Sequence, residues 1–411
     1  MVCVIKNVGV DRMVTTVFRH QSTPCRIHGG YSVLYKLSEE VDRLKGARVM
    51  VVCGQTVAHK THIPSLVQEI LGDKLVGLFD GVKSGSPSTT VLDGVSMANQ
   101  LNPDVIIAIG GGSAVVTARA ITILLAEGGN LKDHCTKYPE GQPPVSPRLM
   151  KPKLPNIVIV TTPTTATNRS GTAVIDSETG HRLELFDPKT RPGVVFWDSE
   201  ALLTAPLELC ISSSGSLLSG VLAGLQSVNL NVLAEGDLRQ SLIILMDNMH
   251  RIKSSPEDGQ IRINLCAASY MYNRASDSGF TGSATGVVTA LAHSLDARYI
   301  GCDHGSAYSI LTAPGMRFNV DYNCTGQSRL GHILGVSESP NGDKTTSEAA
   351  ACRVSDIYSN LGMPTRLRDV GVPREGIRTV AEDAMTDFAL HRNIRPVQDV
   401  SDLENMMDEI W

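Results

Sequence analysis

The stretch 104-DVIIAIGGGSAVVTAR-119 decides how this chain folds. Residues 104–109 form a short apolar, β-branched run of strand length. Gly110, Gly111, Gly112 and Ser113 follow, and the apolar periodicity predicts a helix from Ala114 to Leu125. A strand without polar alternation is buried on both faces, as in parallel sheets covered by helices. Glycine lets backbone approach a ligand closely. Free N–H groups at a helix start, aided by its dipole, favour an anion such as pyrophosphate. Ser113 can cap the helix or donate to a phosphate oxygen. The loop reads as a phosphate cradle, or else as a tight glycine turn. It matches neither GxGxxG nor GxxxxGK[ST].

Working outward, strands alternate with helices. Arg48–Cys53 (RVMVVC) precedes a helix over 56–71. Leu75–Phe79 precedes a helix over 87–101. Residues 157–161 (IVIVT) form a fourth strand, and Ala173–Ile175 and Val194–Trp197 are two more strand-like runs. The Pro-rich segment 136–155 reads as a surface loop. From about residue 199 the pattern turns helical, at 214–235, 239–251, 260–273, 284–296, 305–320, 346–361 and 375–390. The expected architecture is a dinucleotide-binding α/β domain over 1–198, with a doubly wound parallel sheet, followed by an all-α domain over 199–411. The crevice between them is the natural place for a site.

Composition narrows the function. The chain has 411 residues, of which 42% are hydrophobic and 19% charged, with a net charge of −5. That is ordinary globular material for two or three domains at roughly 100–200 residues each. An acidic balance and 4% aromatics argue against a nucleic-acid binder. Nine cysteines, an odd count with no CxxC, argue against a disulfide scaffold or zinc module and for reduced thiols. The first residues, MVCVIKNVGVDRM, lack the apolar core of a signal peptide. No apolar run approaches the ~20 residues that span a bilayer. A cytoplasmic protein without membrane or nucleic-acid partners is expected.

A second polar loop, 161-TTPTTATNRSGT-172, also follows an apolar strand. Its hydroxyls, with Thr162, Thr164 and Thr165 the leading candidates, could hold a ribose or an adenine edge, or could simply form a Ser/Thr turn. The first strand exits through Cys53-Gly54-Gln55 with no acid to hold a ribose 2′-hydroxyl. NADP is therefore expected to be accepted at least as well as NAD.

In this order, 110-GGGSAVVTAR-119, 163-PTTATNRSG-171, 198-DSEALLTAP-206, 215-GSLLSGV-221, 293-HSLDARYIGCDHG-305, 318-FN-319 and 393-NIRP-396 resemble the iron-containing alcohol dehydrogenase family. That family carries GGGSxxDxAK, PTTAGTGSE, DPxLTxxLP and GxDAxxxH, then a His-rich stretch ending in HG, then NPRP. The resemblance runs over nearly the whole chain. It implies an NAD(P)-dependent oxidoreductase, homodimerisation and a small-molecule substrate.

The departures matter more. Val116 and Arg119 replace the Asp and Lys of the first motif. Thr167, Arg169 and Gly171 alter the second, where Arg169 is expected to intrude on a nucleotide or replace part of its charge. The metal positions implied by the resemblance fall on Leu217, Val221, Thr289 and His304. A divalent ion needs three or four converging N, O or S donors, so no catalytic metal is expected there. His59 and His62 are the only closely spaced histidine pair and read as solvated. Acid–base chemistry must then replace a Lewis acid. His293, which matches the family histidine near the nicotinamide, and His304 are the candidates, each with a structural alternative. Arg298, Tyr299 and Cys302 are secondary; the first two read as solvated loop residues and the third as a buried thiol. The resemblance extends to maleylacetate reductases as a precedent for an altered metal site. A lyase, isomerase or cyclase on the same scaffold is the alternative, and an inactive binding homologue the third reading.

Overall fold

A computed structural model describes residues 18–139, 142, 144–278, 286–338 and 342–411. Strand β1 (Arg26–Gly30) and helix α1 (Leu37–Arg43) open the described chain. They are followed by β2 (Val49–Gly54), α2 (Gln55–Lys60), α3 (Ile63–Leu71), β3 (Leu75–Val82), α4 (Ser88–Leu101), β4 (Val105–Gly110) and α5 (Gly112–Glu127). Then come β5 (Asn156–Val160), the antiparallel pair β6 (Gly171–Ile175) and β7 (Arg182–Phe186), and β8 (Val194–Asp198).

Six strands form one parallel sheet in the order β1-β8-β5-β4-β2-β3. Every residue of β4 and β5 is buried. That is why these strands read as continuous apolar runs: helices cover both faces. The chain runs from β2 outward to β3 and returns to β4 on the other side of β2. The winding thus reverses between β2 and β4. Ligands bind outside the carboxyl ends of strands at such a reversal, and Gly110 ends β4 there.

The rest is helical: α6 (Ser199–Leu203), α7 (Leu207–Leu225), α8 (Val232–Arg251), α9 (Gly259–Asp277), α10 (Gly286–Arg298), α11 (His304–Phe318), α12 (Val320–Ile333), α13 (Lys344–Asn360), α14 (Ile377–Met385) and α15 (Val400–Asp408). The fold class is the expected one, an α/β sheet domain and a helical region.

Several local expectations are corrected. The helix expected over 214–235 is two helices. Asn231 ends the continuity because its Oδ1 accepts the N–H groups of Leu233 and Ala234, both at 3.1 Å, and so caps α8. The helix expected over 56–71 breaks at Thr61, whose backbone is extended, and restarts at Ile63-Pro64. Strands β1 and β7 and helix α15 carried no sequence expectation. The start of the 284–296 helix and the N-terminal stretch 1–17 lie outside the described residues. Among the described residues one helix, α7, has the length and mean hydropathy (1.3) to cross a membrane, where no run was expected to come close. It packs against α8, α9 and α11 with Leu217, Leu218, Val221 and Leu222 in the helical core.

The motifs near the carboxyl end are joints. Asn319 and Asn393 exchange side-chain hydrogen bonds at 3.1 and 2.8 Å, and Asn393 Oδ1 accepts the Val287 N–H at the start of α10. The Arg395 guanidinium lies 4.0 Å from the Phe318 ring centroid. These contacts hold α10 and the end of α11 in fixed register.

Candidate active site

The glycine loop is shaped by close approach. Gly110 has φ +144°, a conformation that side chains disfavour. A Cβ on Gly111 would lie 2.9 Å from Thr162 Oγ1, and one on Gly112 3.1 Å from Thr164 Oγ1. The two polar loops therefore interlock, and the Thr161 N–H donates to the Gly110 carbonyl at 3.1 Å. Helix α5 starts at Gly112 with no side-chain cap, which leaves the N–H groups of its first turn, including that of Ser113, for an anion. These residues fit a dinucleotide's pyrophosphate. Thr162 is only 2% exposed and fills the space under Gly111, so it shapes the loop. Thr164 and Thr165 are partly exposed.

The altered positions are not in the cradle. Arg119 is buried and donates to the carbonyls of Ala166 (2.8 Å), Gly171 (2.9 Å) and Thr167 (3.2 Å), fastening the threonine loop from below. Arg169, expected to intrude on a nucleotide or replace part of its charge, is bound to α9. Its Nε donates to Asn273 Oδ1 at 2.8 Å on α9, with the guanidinium 5.3 Å from the Tyr272 ring centroid. Ser269 and Asn273 also donate to the carbonyls of Thr164 and Thr165, at 2.7 and 2.9 Å. The threonine loop is thus the joint between sheet and helices.

A crevice of about 430 Å³ opens between the β6–β7 pair on one side and α10 and α14 on the other. It is tied to the glycine loop: Ser86 Oγ donates to the Ser113 carbonyl at 3.0 Å, and the Ile175 N–H on the crevice wall donates to the Ser86 carbonyl at 3.3 Å. His293 lines the crevice, and its Nδ1 lies 2.8 Å from Asp387 Oδ2. Both side chains are nearly buried, at 13% and 11% exposure. Burial, and next the Asp387 hydrogen bond working against it, leaves the His293 pKa below its ordinary value. The imidazole is neutral at pH 7. With Nδ1–H on the carboxylate, Nε2 has a lone pair, the arrangement of an oriented general base. Asp387 was not foreseen. It stands 94 residues from His293 in sequence, and its only local mark is its place just before 393-NIRP-396.

His304 begins α11 beside His293, with ring centroids 6.2 Å apart. The structure therefore brings the two candidate histidines together. The His304 side chain is 43% exposed. Crowding by protein atoms, then the fields of His293 and Arg182, pushes its pKa down to about 3. Its ring also meets Tyr308 edge-on at 4.8 Å.

The remaining metal positions do not fit a divalent ion. Leu217 (1% exposed) and Val221 (0%) belong to the apolar core. Thr289 accepts a hydrogen bond from the Tyr308 hydroxyl at 3.3 Å. Among the described residues no three His, Cys, Asp or Glu side chains converge. One imidazole beside aliphatic groups is no ligand set.

Cys302 is buried, and burial, followed by Asp303 and Asp296, pushes its thiol up to about 12, so it is a packing residue and no nucleophile. Arg298 is not on a loop. It ends α10, and its guanidinium holds Asp383 in a two-pronged pair at the crevice wall. Tyr299 packs on the core formed by α10, α11 and α14. His59 and His62 are mostly exposed, beside Asp80 and Glu200.

Comparison with known proteins gives a consistent picture. Residues 24–199 match the family described as iron-containing alcohol dehydrogenase, and residues 224–410 match the C-terminal part of the Fe-containing alcohol dehydrogenase family. The NAD-dependent methanol dehydrogenase of Bacillus methanolicus is 25% identical over 88% of this chain and 93% of its own length. The lactaldehyde reductase of Escherichia coli (strain K12) is 26% identical over 93% and 97%. The solved structure of a 1,3-propanediol oxidoreductase superposes with a TM-score of 0.81 at 20% identity, covering 96% of this chain and all of that one. The chain belongs to the iron-containing alcohol dehydrogenase family and is an alcohol dehydrogenase-like oxidoreductase.

Proposed function

We propose that this oxidoreductase uses NADP or NAD to transfer hydride to or from a small carbonyl, alcohol or activated alkene, without a metal ion at the family's position. The observation that carries the reading is the pairing of a glycine cradle at the sheet's reversal point with a His293–Asp387 dyad in the crevice tied to it. The named relatives for methanol and lactaldehyde support a small substrate.

When bound, the nicotinamide supplies or accepts the hydride. Backbone N–H groups of Gly112 and Ser113 would hold the pyrophosphate, and the partly exposed Thr164 and Thr165 would be available to the rest of the nucleotide. Asp387 fixes the His293 tautomer and stabilises its protonated form. His293 Nε2 takes the hydroxyl proton in oxidation and returns it in reduction. The β2 exit through Gly54 and Gln55 presents no acid against a 2′-phosphate, which supports NADP alongside NAD. The non-redox alternative draws on the altered loop residues Val116, Arg119, Thr167, Arg169 and Gly171, of which Arg119 and Arg169 tie the threonine loop to its surroundings. A cytoplasmic homodimer acting on small molecules, with no membrane or nucleic-acid partner, completes the reading. The eight described cysteines are free thiols, which supports a reducing compartment.

The test is NADPH and NADH titration by fluorescence, followed by cofactor consumption with a panel of small aldehydes, with and without EDTA. Binding and chelator-insensitive turnover are expected. Loss of turnover on chelation would refute the metal-free part, and absence of nucleotide binding would refute the whole.

A further inference from the structure

We propose that the Tyr308 hydroxyl, backed by Thr289, is the hydrogen-bond donor that holds the substrate oxygen in place of a metal ion. The proposal rests on the hydride-transfer reading of the crevice and assigns that site its missing electrophile.

Three of the four family metal positions are Leu217, Val221 and Thr289, and only the first two close up as core. Thr289 remains partly exposed between the buried Val288 and Ala290, and Tyr308 is partly exposed between the buried Ala307 and Ser309. Both therefore reach accessible space where α10 meets α11. Helices α7 and α11 run side by side there. The Ser212 backbone lies against Gly305, and Ser219 and Thr312 share a 2.7 Å hydrogen bond. This register brings Gly215 level with Tyr308, with Leu217 two residues further along α7. The hydroxyl pair on α10 and α11 and the partly exposed His304 border that space.

Tyr308 stands one turn after His304, so both side chains share a helix face. Its ring meets His304 at 4.8 Å, and His304 stacks on His293 at 6.2 Å. The hydroxyl is bonded to Thr289, one turn before His293 on α10, so it lies on the same helix face as the crevice dyad. The 3.3 Å bond to Thr289 is long, and the phenol proton can turn toward a substrate oxygen without moving a heavy atom. Thr289 then donates to the phenol oxygen, and the two bonds polarise one another.

In reduction, hydride adds to the carbonyl carbon and the C=O electron pair moves onto oxygen. That oxygen takes its proton from the His293 imidazolium, which returns to the neutral form beside Asp387; oxidation runs the same steps backward. Tyr308 keeps its proton throughout and only stabilises the developing alkoxide. Burial holds the phenol up to about 12, in keeping with a neutral donor. A neutral donor aimed at an alkoxide in a water-poor site acts as an oxyanion hole does.

The test uses the full-length protein with propanal and lactaldehyde as probes. Tyr308→Phe should lower kcat about 10²- to 10³-fold, the usual effect of losing one oxyanion donor, with NADPH affinity by fluorescence titration unchanged. Trifluoroethanol, a weakly acidic alcohol, should bind the NADP-loaded wild type at least tenfold more tightly than the variant by calorimetry. Wild-type kcat in Tyr308→Phe, or equal trifluoroethanol affinity in both proteins, overturns the proposal. Thr289→Val, a positioning change, should lower kcat by less while keeping KM and NADPH affinity. If Tyr308→Phe fails to fold, that variant decides alone, and an unchanged kcat overturns the proposal. A wild type that binds no NADPH, or binds it and reduces neither probe, fails one step earlier and refutes the hydride-transfer reading itself.

Discussion

The sheet side and the helical side of the site are built from different material. The sheet side is backbone: three glycines, a helix start without a side-chain cap and a threonine loop interlocked with them. The helical side is side chains: His293 with Asp387 in the crevice, His304 with Tyr308, and Tyr308 with Thr289. A backbone cradle depends on shape, so it tolerates change outside its glycines, as at Val116 and Arg119. A side-chain wall depends on residue type, so its chemistry can be exchanged while the helices stay in place. Here the aliphatic Leu217 and Val221 have joined the core, and hydroxyls and imidazoles line what is left.

That contrast can be broken most sharply at the dyad. His293→Ala should lower kcat about 10²- to 10⁴-fold, the usual span for a general acid–base group, while NADPH titration stays at the wild-type affinity. A parallel loss of NADPH affinity would mean that the two walls are not functionally separate. Next in size, Leu217→Asp places an unpartnered carboxylate in the helical core. It should cost about 3–5 kcal/mol, as uncompensated buried charges do, measured by urea unfolding. A variant of unchanged stability that gains a bound divalent ion would show that the wall still accepts metal. On the sheet side, Gly111→Val drives a branched side chain onto Thr162 Oγ1. NADPH affinity should fall about 10- to 100-fold, the equivalent of the roughly 1–3 kcal/mol that local strain costs, with the unfolding midpoint little changed.

The smallest effect is acid sensitivity. His293 and His304 are both held below the ordinary histidine pKa, His304 down to about 3. Between that value and about 6.5 the unfolded chain binds protons that the folded chain refuses. Their neutral forms therefore favour folding fully above about pH 6.5, and stability is lost as pH falls toward 3. The melting temperature of His304→Asn should fall less than that of wild type between pH 7 and pH 4.5. Equal slopes would mean that His304 titrates freely.

Much of the sheet domain could be read in advance. Continuous runs such as 105–110 and 156–160 admit few other placements, because a strand covered on both faces must be apolar throughout. β1 escaped notice because Arg26 and His28 interrupt it. It lies at the sheet edge, where Arg26 and His28 reach the Glu40 carboxylate. The merged helix at 214–235 shows the same limit, since a cap at Asn231 outweighs apolar periodicity. In the site, the glycine loop and the two histidines were legible as motifs. Asp387 and Tyr308 were not, since Asp387 meets His293 only where α10 packs on α14, and Tyr308 gains its partner only where α11 packs on α10.

By itself, then, the sequence determined the layered α/β architecture, the glycine cradle and the replacement of metal-binding residue types by Leu217, Val221 and Thr289. These follow from local pattern: periodicity, glycine placement and the identity of side chains at motif positions. Only the tertiary structure decided that Arg169 turns to Asn273, that Thr162 packs under Gly111, that His293 has a carboxylate partner and that Thr289 has a phenol. Each of those depends on which helix faces touch, and a contact between residues tens of positions apart is set by packing rather than by local pattern.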